Sequence, residues 1–466
     1  MIGTGGHWLA PAMLAALALA LFSGLPVAVV LIAVGFLFAG LGMLAGAVKI
    51  TDFGAIYFRV YGALTDSDEI LYATVPLLIF MGAMLQRSGV ADDLLFGVRD
   101  ALRRVPGALA LAVIVLGALL APAAGVVAAS VGALALIAFP AMLRHGYRPA
   151  SAAGVIAAAG TLGVVVPPGI MLFFVADAIG VQVPAMFLAM LGPLALLLGG
   201  YMAFAALVRP QAGPLQGTAS APAAPIARAA ALERLVLPCL LLAGVLLSVA
   251  FGWATLSESA ALGAAGATLI AAAQRKLSFH DLDGAIQQTA LTTAMVFFIY
   301  IGATVFSLVF RLLGGGEFVL GLFRQLQIGA MGVLVVVLLV VLVLGFFFDW
   351  VEIVLITFPV LRPVLEGLDF GAHVGAPHLA LYWAAVLLAL NLQTSFLTPP
   401  FGYALLLARG AAPPEVTLGD IYRGVLPYIA IQLLVIATVI AFPAIATWLP
   451  ERVFDLSLPH AGKFRE

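Results

Sequence analysis

The chain has 466 residues, 64% of them hydrophobic and 9% charged, with a net charge of −1 and a mean hydropathy of +1.19. A soluble domain carries about 25% charged residues, so this composition excludes a water-soluble fold and implies an all-α polytopic membrane protein. No basic patch offers itself to a nucleic acid, and the single cysteine, Cys239, excludes an internal disulfide or a thiolate metal cluster.

A spanning helix needs about 20 apolar residues, and about ten to thirteen such runs can be counted. Two of them, 8–24 and 26–46, follow one another at the N-terminus, where the first basic residue is Lys49; this is not the pattern of a cleaved signal peptide. The next landmark is "FMGAMLQRSG" (80–89), followed by an apolar run over 107–143, an interrupted span over 150–180 and a closing helix over 185–208. Residues 209–234, rich in Pro, Ala, Gly and Ser with arginines near the ends, have linker composition. The arginines here and in "RHGYR" (144–148) favour the cytoplasmic side. The chain thus divides into a first half (1–208), a linker (209–234), a second half (235–450) and a tail (451–466).

The second half repeats the rhythm of the first. It has a long run over 329–365, an interrupted span over 378–412 and a closing helix over 425–447. Landmarks match in order: Pro140 with Pro359, 219 positions on, Pro167–Pro168 with Pro399–Pro400, 232 positions on, and "FMGAMLQRSG" with "YIGATVFSLVFRLLGG" (300–315). This ordered set indicates an internal duplication. Paired Pro- and Gly-interrupted hydrophobic segments at corresponding positions are the sequence pointer to the central site of a secondary transporter.

The helix breaks are "VVVPPG", with Pro167, Pro168 and Gly169, and "LTPPFG", with Pro399, Pro400 and Gly402. Proline lacks an N–H and clashes with the preceding turn, so two in succession leave carbonyls without helical partners. Lipid cannot satisfy them, and such a break must be buried in protein or line a wet cavity. Carbonyl oxygens suit a hard cation such as Na⁺, and the N-terminal ends of half-helices attract anions.

Small oxygen donors gather at both places. The first has Gly160, Thr161 and Gly163, and the second has Asn391, Gln393, Thr394, Ser395 and Thr398. Ser and Thr are also common where membrane helices simply pack; five polar residues in eight beside a Pro-Pro pair favour binding. Asp349 and Glu352, in "GFFFDWVEIVLITFP" (345–359), are costly at membrane depth, by about 2.5–3.5 kcal/mol for an acid on insertion scales. Two readings stand for them: proximity to a cation or solute, or capping of a helix that starts in the middle of the run. The duplication sets Asp349 opposite Ser130, each near the turn of a hairpin, and Asp177 opposite Arg409. "TLSE" (255–258) fits a capping box in which Thr255 caps and Glu258 reaches back.

With these motifs in place, the chain resembles the large membrane subunit (DctM-like permease) of tripartite ATP-independent periplasmic (TRAP) transporters, most closely the branch labelled for mannitol or chloroaromatic compounds. The resemblance runs through "VPLLIFMGAMLQRSGVADDLL" (75–95), "FPAMLRHGY" (139–147), "GVIAAAGTLGVVVPPGIMLF" (154–173), "GWATLSESAALGA" (252–264), "GFFFDWVEIVLITFP" and "NLQTSFLTPPFGYALLLARGAAPPEVTLGDIYRGVLPY" (391–428). It implies an inverted-repeat carrier with two re-entrant hairpins and two broken helices, working as an elevator of transport domain against scaffold. It implies a place in the bacterial inner membrane among lipid, a small DctQ-like membrane subunit, and a periplasmic substrate-binding protein that delivers a small organic acid. It also implies no cofactor, with Na⁺ as coupling ion held transiently where hairpin tips meet broken helices: Gly125 to Ser130 with Gly160, Thr161 and Gly163, and Asp349 with the segment from Asn391 to Thr398. Two departures bear on the first site. Many members have a serine-rich SGSS-type tip where this chain reads "PAAGVVAAS" (122–130), and many read PPS where this chain has Gly169.

Other classes are weaker. An intramembrane enzyme needs a nucleophile with its base or a set of metal ligands at membrane depth, and the six histidines show no HxxxH or HExxH spacing. A passive channel makes less use of paired broken helices. A dicarboxylate-type carrier of similar repeat architecture that needs no binding protein is the nearest alternative.

Overall fold

The structure, a computed structural model, describes residues 8–65, 71–87, 105, 107–124, 127–208, 228–325, 327–400 and 402–454. Gly125, most of the predicted linker and most of the tail lie outside the described residues. The described residues form helices and no strand.

Two helices, α1 (Leu9–Leu21) and α2 (Val27–Leu44), precede the short α3 (Gly54–Thr65). The first half then runs through α4 (Leu71–Arg87), the hairpin α5 (Ala108–Ala124) and α6 (Val127–Arg144), the half-helices α7 (Pro149–Thr161) and α8 (Ile170–Ile179), and α9 (Val183–Leu207). Next come α10 (Arg228–Ala250) and α11 (Leu256–Ala273). Helix α10 begins inside the segment read as linker. In the second half, α12 (Phe279–Leu312) and α13 (Gly315–Gln325) lead to the hairpin α14 (Ala330–Leu344) and α15 (Trp350–Glu366). The half-helices α16 (Pro377–Leu397) and α17 (Tyr403–Ala411) follow, then α18 (Leu418–Ala441) and α19 (Ala444–Val453). The element order α4 to α9 recurs in α12 and α14 to α18, and matching prolines sit within the helices, Pro140 with Pro359 and Pro193 with Pro427.

Among the described residues, six helices are long and apolar enough to cross a membrane, in α2, α9, α11, α12, α16 and α18; α13 and α14, bent by 118°, make a seventh if taken as one span. This is fewer than the apolar runs suggest. One run is not one crossing here, because prolines and turns cut several runs into short helices. Thirteen residues, as in α7, span only about 20 Å at 1.5 Å per residue.

The halves exchange partners. Helix α8 of the first half packs on α15 of the second, α17 of the second packs on α6 of the first, and α7 crosses α18. Phe174 on α8 meets Trp350 on α15 at 6.0 Å between ring centroids. The α7–α18 crossing is possible because both helices present glycine: a Cβ on Gly154 would overlap the carbonyl oxygen of Gly424, and one on Gly424 would overlap that of Ala150. The broken helices occupy the centre. In α16, 94% of the apolar window is buried, against 33% in α18 and 39% in α11. At the rim Leu19, Leu44, Leu269 and Leu434 are exposed, an apolar surface that lipid solvates without the penalty water would impose.

Helix starts use ordinary chemistry. Thr255 Oγ1 accepts from the Glu258 N–H at 3.3 Å while the Thr255 N–H donates to the Glu258 carboxylate at 2.8 Å. That is the capping box read from the sequence.

Candidate functional site

The first break begins where α7 tightens into a single 3₁₀ turn, Leu162–Val164. Pro167 and Pro168 follow, joined by a cis peptide bond as are Pro399 and Pro400, and Gly169 starts α8 in an extended conformation. The prolines supply no N–H to the carbonyls of Gly163 and Val164. From residue 163 to residue 168, no carbonyl accepts a backbone hydrogen bond from the described residues; the last donors, from Val165 and Val166, both go to Leu162. All of this lies inside the protein except part-buried Gly163. A Cβ on Gly169 would crowd the Val166 carbonyl oxygen at 2.8 Å, so glycine leaves that oxygen uncovered.

The second break repeats the device with more side-chain oxygen. The helical donor for the Phe396 carbonyl would be Pro400, which has none, and no described N–H replaces it. Gly402 lies over the same oxygen, its Cβ position 2.9 Å away. Pro399 is part-buried and Pro400 exposed, unlike the buried first pair, and the Pro400 carbonyl accepts from the Tyr422 hydroxyl at 2.6 Å. Carbonyls at the C-terminal ends of α7 and α16 carry partial negative charge, and the opening turns of α8 and α17 carry partial positive charge, about half a unit each. Each break therefore offers a cation and an anion complementary ends.

Hairpins close against both breaks. Ser130 Oγ donates to the Gly160 carbonyl at 2.8 Å, fully inside the protein, and Gly160 has no room for a side chain, since its Cβ position lies 2.8 Å from Val131 Cα. In the second half, Asn391 Nδ2 donates to the Leu338 carbonyl of α14 at 2.8 Å, and a Cβ on Gly345, at the end of α14, would overlap Ser395 Oγ. The tip beyond Gly345 is also touched from outside the duplication: Phe22, after α1, meets Phe347 at 5.9 Å and Phe348 at 6.4 Å between centroids. Ser130→Ala should lower stability by about 1 kcal/mol, the worth of one hydrogen bond, measured as a shift of the thermal midpoint in detergent. No shift would mean that the Ser130–Gly160 contact contributes nothing.

The hydroxyls of the cluster spend their protons on their own helices. Thr161 donates to Ala158 at 2.9 Å, Thr394 to Leu390 at 3.0 Å, Ser395 to Leu392 at 2.7 Å and Thr398 to Thr394 at 2.7 Å. Such back-bonding also occurs where helices merely pack. Its chemical consequence is that only lone pairs remain outward, the presentation a cation needs. Gln393, aligned with Thr161 by the duplication, is fully buried, and neither its amide nitrogen nor its oxygen has a partner.

Asp349 makes a local hydrogen bond at the start of α15. Its Oδ1 accepts from the Trp350 N–H at 2.8 Å, capping α15, so the capping role is present and no hydrogen bond joins it to residues 391–398. Its neighbours are Glu352, in the first turn of α15, and Tyr403, the first residue of α17, which lies within electrostatic reach of both carboxylates. The second site was expected as Asp349 with Asn391 to Thr398; of these, Asn391 bonds to α14 and Asp349 to the start of α15, the two helices of one hairpin. In the sequence Tyr403 is marked only by its position just after the break. Arg409 donates to the Val416 carbonyl at 2.9 Å, a local structural task.

The family model described as the DctM component of the tripartite ATP-independent periplasmic transporter matches residues 14–445. The chain belongs to the DctM family. A C4-dicarboxylate TRAP transporter large permease protein of Pseudomonas aeruginosa is 27% identical over 387 residues, covering 82% of this chain and 87% of that protein. The sialic acid TRAP transporter large permease protein of Vibrio cholerae is 24% identical over 441 residues, covering 92% and 96%. The YdaH transporter of Alcanivorax borkumensis, solved by crystallography, shares the fold with a TM-score of 0.58 at 15% identity, over 86% of this chain and 90% of its own. This DctM chain is therefore a multi-pass transport component and not an enzyme. Neither relative carries a mannitol or chloroaromatic name, so the narrower resemblance finds no support and is set aside.

Proposed function

We propose that the chain is the large membrane subunit of a Na⁺-coupled secondary importer in the bacterial inner membrane. A periplasmic binding protein hands it a small organic acid, and a small DctQ-like subunit completes the membrane complex. The observation that carries this reading is the run of backbone carbonyls from residue 163 to 168, buried from Val164 onward, to which no described N–H donates, matched by the Phe396 carbonyl and its polar neighbours in the other half. A buried polar group without a partner costs about 1–3 kcal/mol, and a bound cation removes that cost while the solute occupies the helix N-termini. The acid class is supported by the dicarboxylate and sialic acid names of the relatives. Hairpin helices bonded to the broken helices, as at Ser130 and Leu338, suit an elevator in which the repeats carry the site as one body.

The test is reconstitution in proteoliposomes with the cognate small subunit and binding protein, using labelled C4-dicarboxylates and sialic acid. Uptake is expected under an inward Na⁺ gradient and not under a K⁺ gradient. Uptake indifferent to Na⁺ would overturn the coupling, and undiminished uptake without the binding protein would favour an independent carrier.

A further inference from the structure

A groove of about 470 Å³ runs between α4 and α12, and neither the breaks nor the hairpins line it. Its lining is apolar apart from Thr289 and Thr293. Pro76, Ala290 and Ala294 are too small to close the seam, and the larger Phe80 and Phe297 line the space they leave. On α12 the lining runs from Ile286 to Phe297, about 17 Å of helix at 1.5 Å per residue. The hydrocarbon core of a bilayer is about 30 Å thick, so the groove is one leaflet deep. A partner's transmembrane helix would need a seam through both leaflets, whereas an acyl chain needs only one.

The groove ends at a cation. Arg87, the last residue of α4, is exposed and donates from Nε to the Gln288 side-chain oxygen at 3.2 Å. Its guanidinium lies along α12 toward the helix start, over Gly284, where a Cβ would overlap Nη1. Glycine thus gives the guanidinium a seat on the helix backbone, and its terminal nitrogens make no hydrogen bond among the described residues. The two acids at the start of α12 have other partners: Asp281 accepts from the Ser278 hydroxyl, and Asp283 from the Gln287 amide at 2.8 Å. Beyond Gly284 the turn from α11 adds Arg275 and Lys276, and Phe279, 92% exposed, opens α12. Exposed aromatic residues beside basic ones mark a membrane–water interface, and an excess of Lys and Arg marks its cytoplasmic side. The anionic lipids of that leaflet attract such residues.

We infer that the α4–α12 groove binds one acyl chain of an anionic phospholipid of the cytoplasmic leaflet, with the phosphate at Arg87. The chain fills the seam left by the small residues, and the planar guanidinium meets the phosphate oxygens. Helices α4 and α12 hold corresponding places in the two repeats, so one lipid touches both halves. The site is separate from the breaks and does not depend on the solute or the coupling ion.

Two measurements on the full chain decide the matter. In native mass spectrometry, dioleoyl phosphatidylglycerol should bind more tightly than dioleoyl phosphatidylcholine. Arg87→Gln should erase a preference of about fivefold, the worth of one cation near an anionic surface. Ala290→Phe with Ala294→Phe, at exposed positions of the lining, should lower the number of retained lipids by one. Glycerol phosphate, a headgroup without chains, should not compete. A preference unchanged in Arg87→Gln, or competition by glycerol phosphate, would overturn the site. The second measurement places photoreactive benzoylphenylalanine in place of Leu77, in the lining, and irradiates membranes that also contain the cognate small subunit. A phospholipid adduct is expected. A cross-link to the small subunit or to a second copy of the chain would overturn the lipid as occupant.

Discussion

Asp349→Asn should raise the Na⁺ concentration that half-saturates uptake by about 10- to 100-fold, the equivalent of losing a charged contact worth about 1.5–3 kcal/mol. Assembly in the membrane should be little changed. The substitution separates the two roles the carboxylate can play. Asparagine caps a helix about as well as aspartate, so the hydrogen bond to the Trp350 N–H survives while the charge beside Glu352 and Tyr403 is halved. Were Asp349 only a cap, asparagine would be tolerated in uptake and Asp349→Ala alone would be harmful, through loss of about 0.5–2 kcal/mol of capping. The measurement is initial uptake against external Na⁺ in proteoliposomes containing equal amounts of folded protein. Unchanged Na⁺ dependence in the asparagine variant would remove Asp349 from the ion path.

The second large effect is structural. Gly154→Val should sharply reduce the yield of folded protein and its thermal midpoint, because the new side chain is driven into the backbone of α18 at Gly424. Overpacking a core side chain costs about 1–3 kcal/mol, and a rigid carbonyl on a facing helix gives way less readily than a side chain. Gly199→Ala is the control. Gly199 is an exposed position within α9 with nothing near its Cβ position, and alanine there should be neutral or gain the about 0.5–1 kcal/mol that glycine loses in a helix. Equal midpoints for the two variants would show that the α7–α18 crossing is looser than its geometry implies.

The breaks were legible in the sequence for a reason that does not depend on the fold. Proline removes an N–H wherever it stands, so Pro167–Pro168 and Pro399–Pro400 announce unpaired carbonyls before any tertiary contact is known. The capping box at Thr255 is local in the same way. Crossings were harder to count, because hydropathy measures how apolar a run is and not whether it turns back, as at Gly345 to Asp349 between α14 and α15. The surroundings of Asp349 were also out of reach. Whether it faces the polar residues of α16 or its own helix start depends on how the hairpin tip is rotated, and periodicity carries no such information. The same holds for the exchange of partners between halves.

The role of the opened backbone as an ion ligand can be tested on purified protein without knowledge of the solute. A ligand that binds only the folded state raises the midpoint, and by more the further its concentration exceeds its dissociation constant. The wild-type protein should be stabilised by NaCl beyond the effect of KCl at equal ionic strength, and the double variant Pro399→Ala/Pro400→Ala, still folded, should lose that difference. A Na⁺-specific rise of the same size in both proteins would contradict the claim that the proline breaks create the ion site.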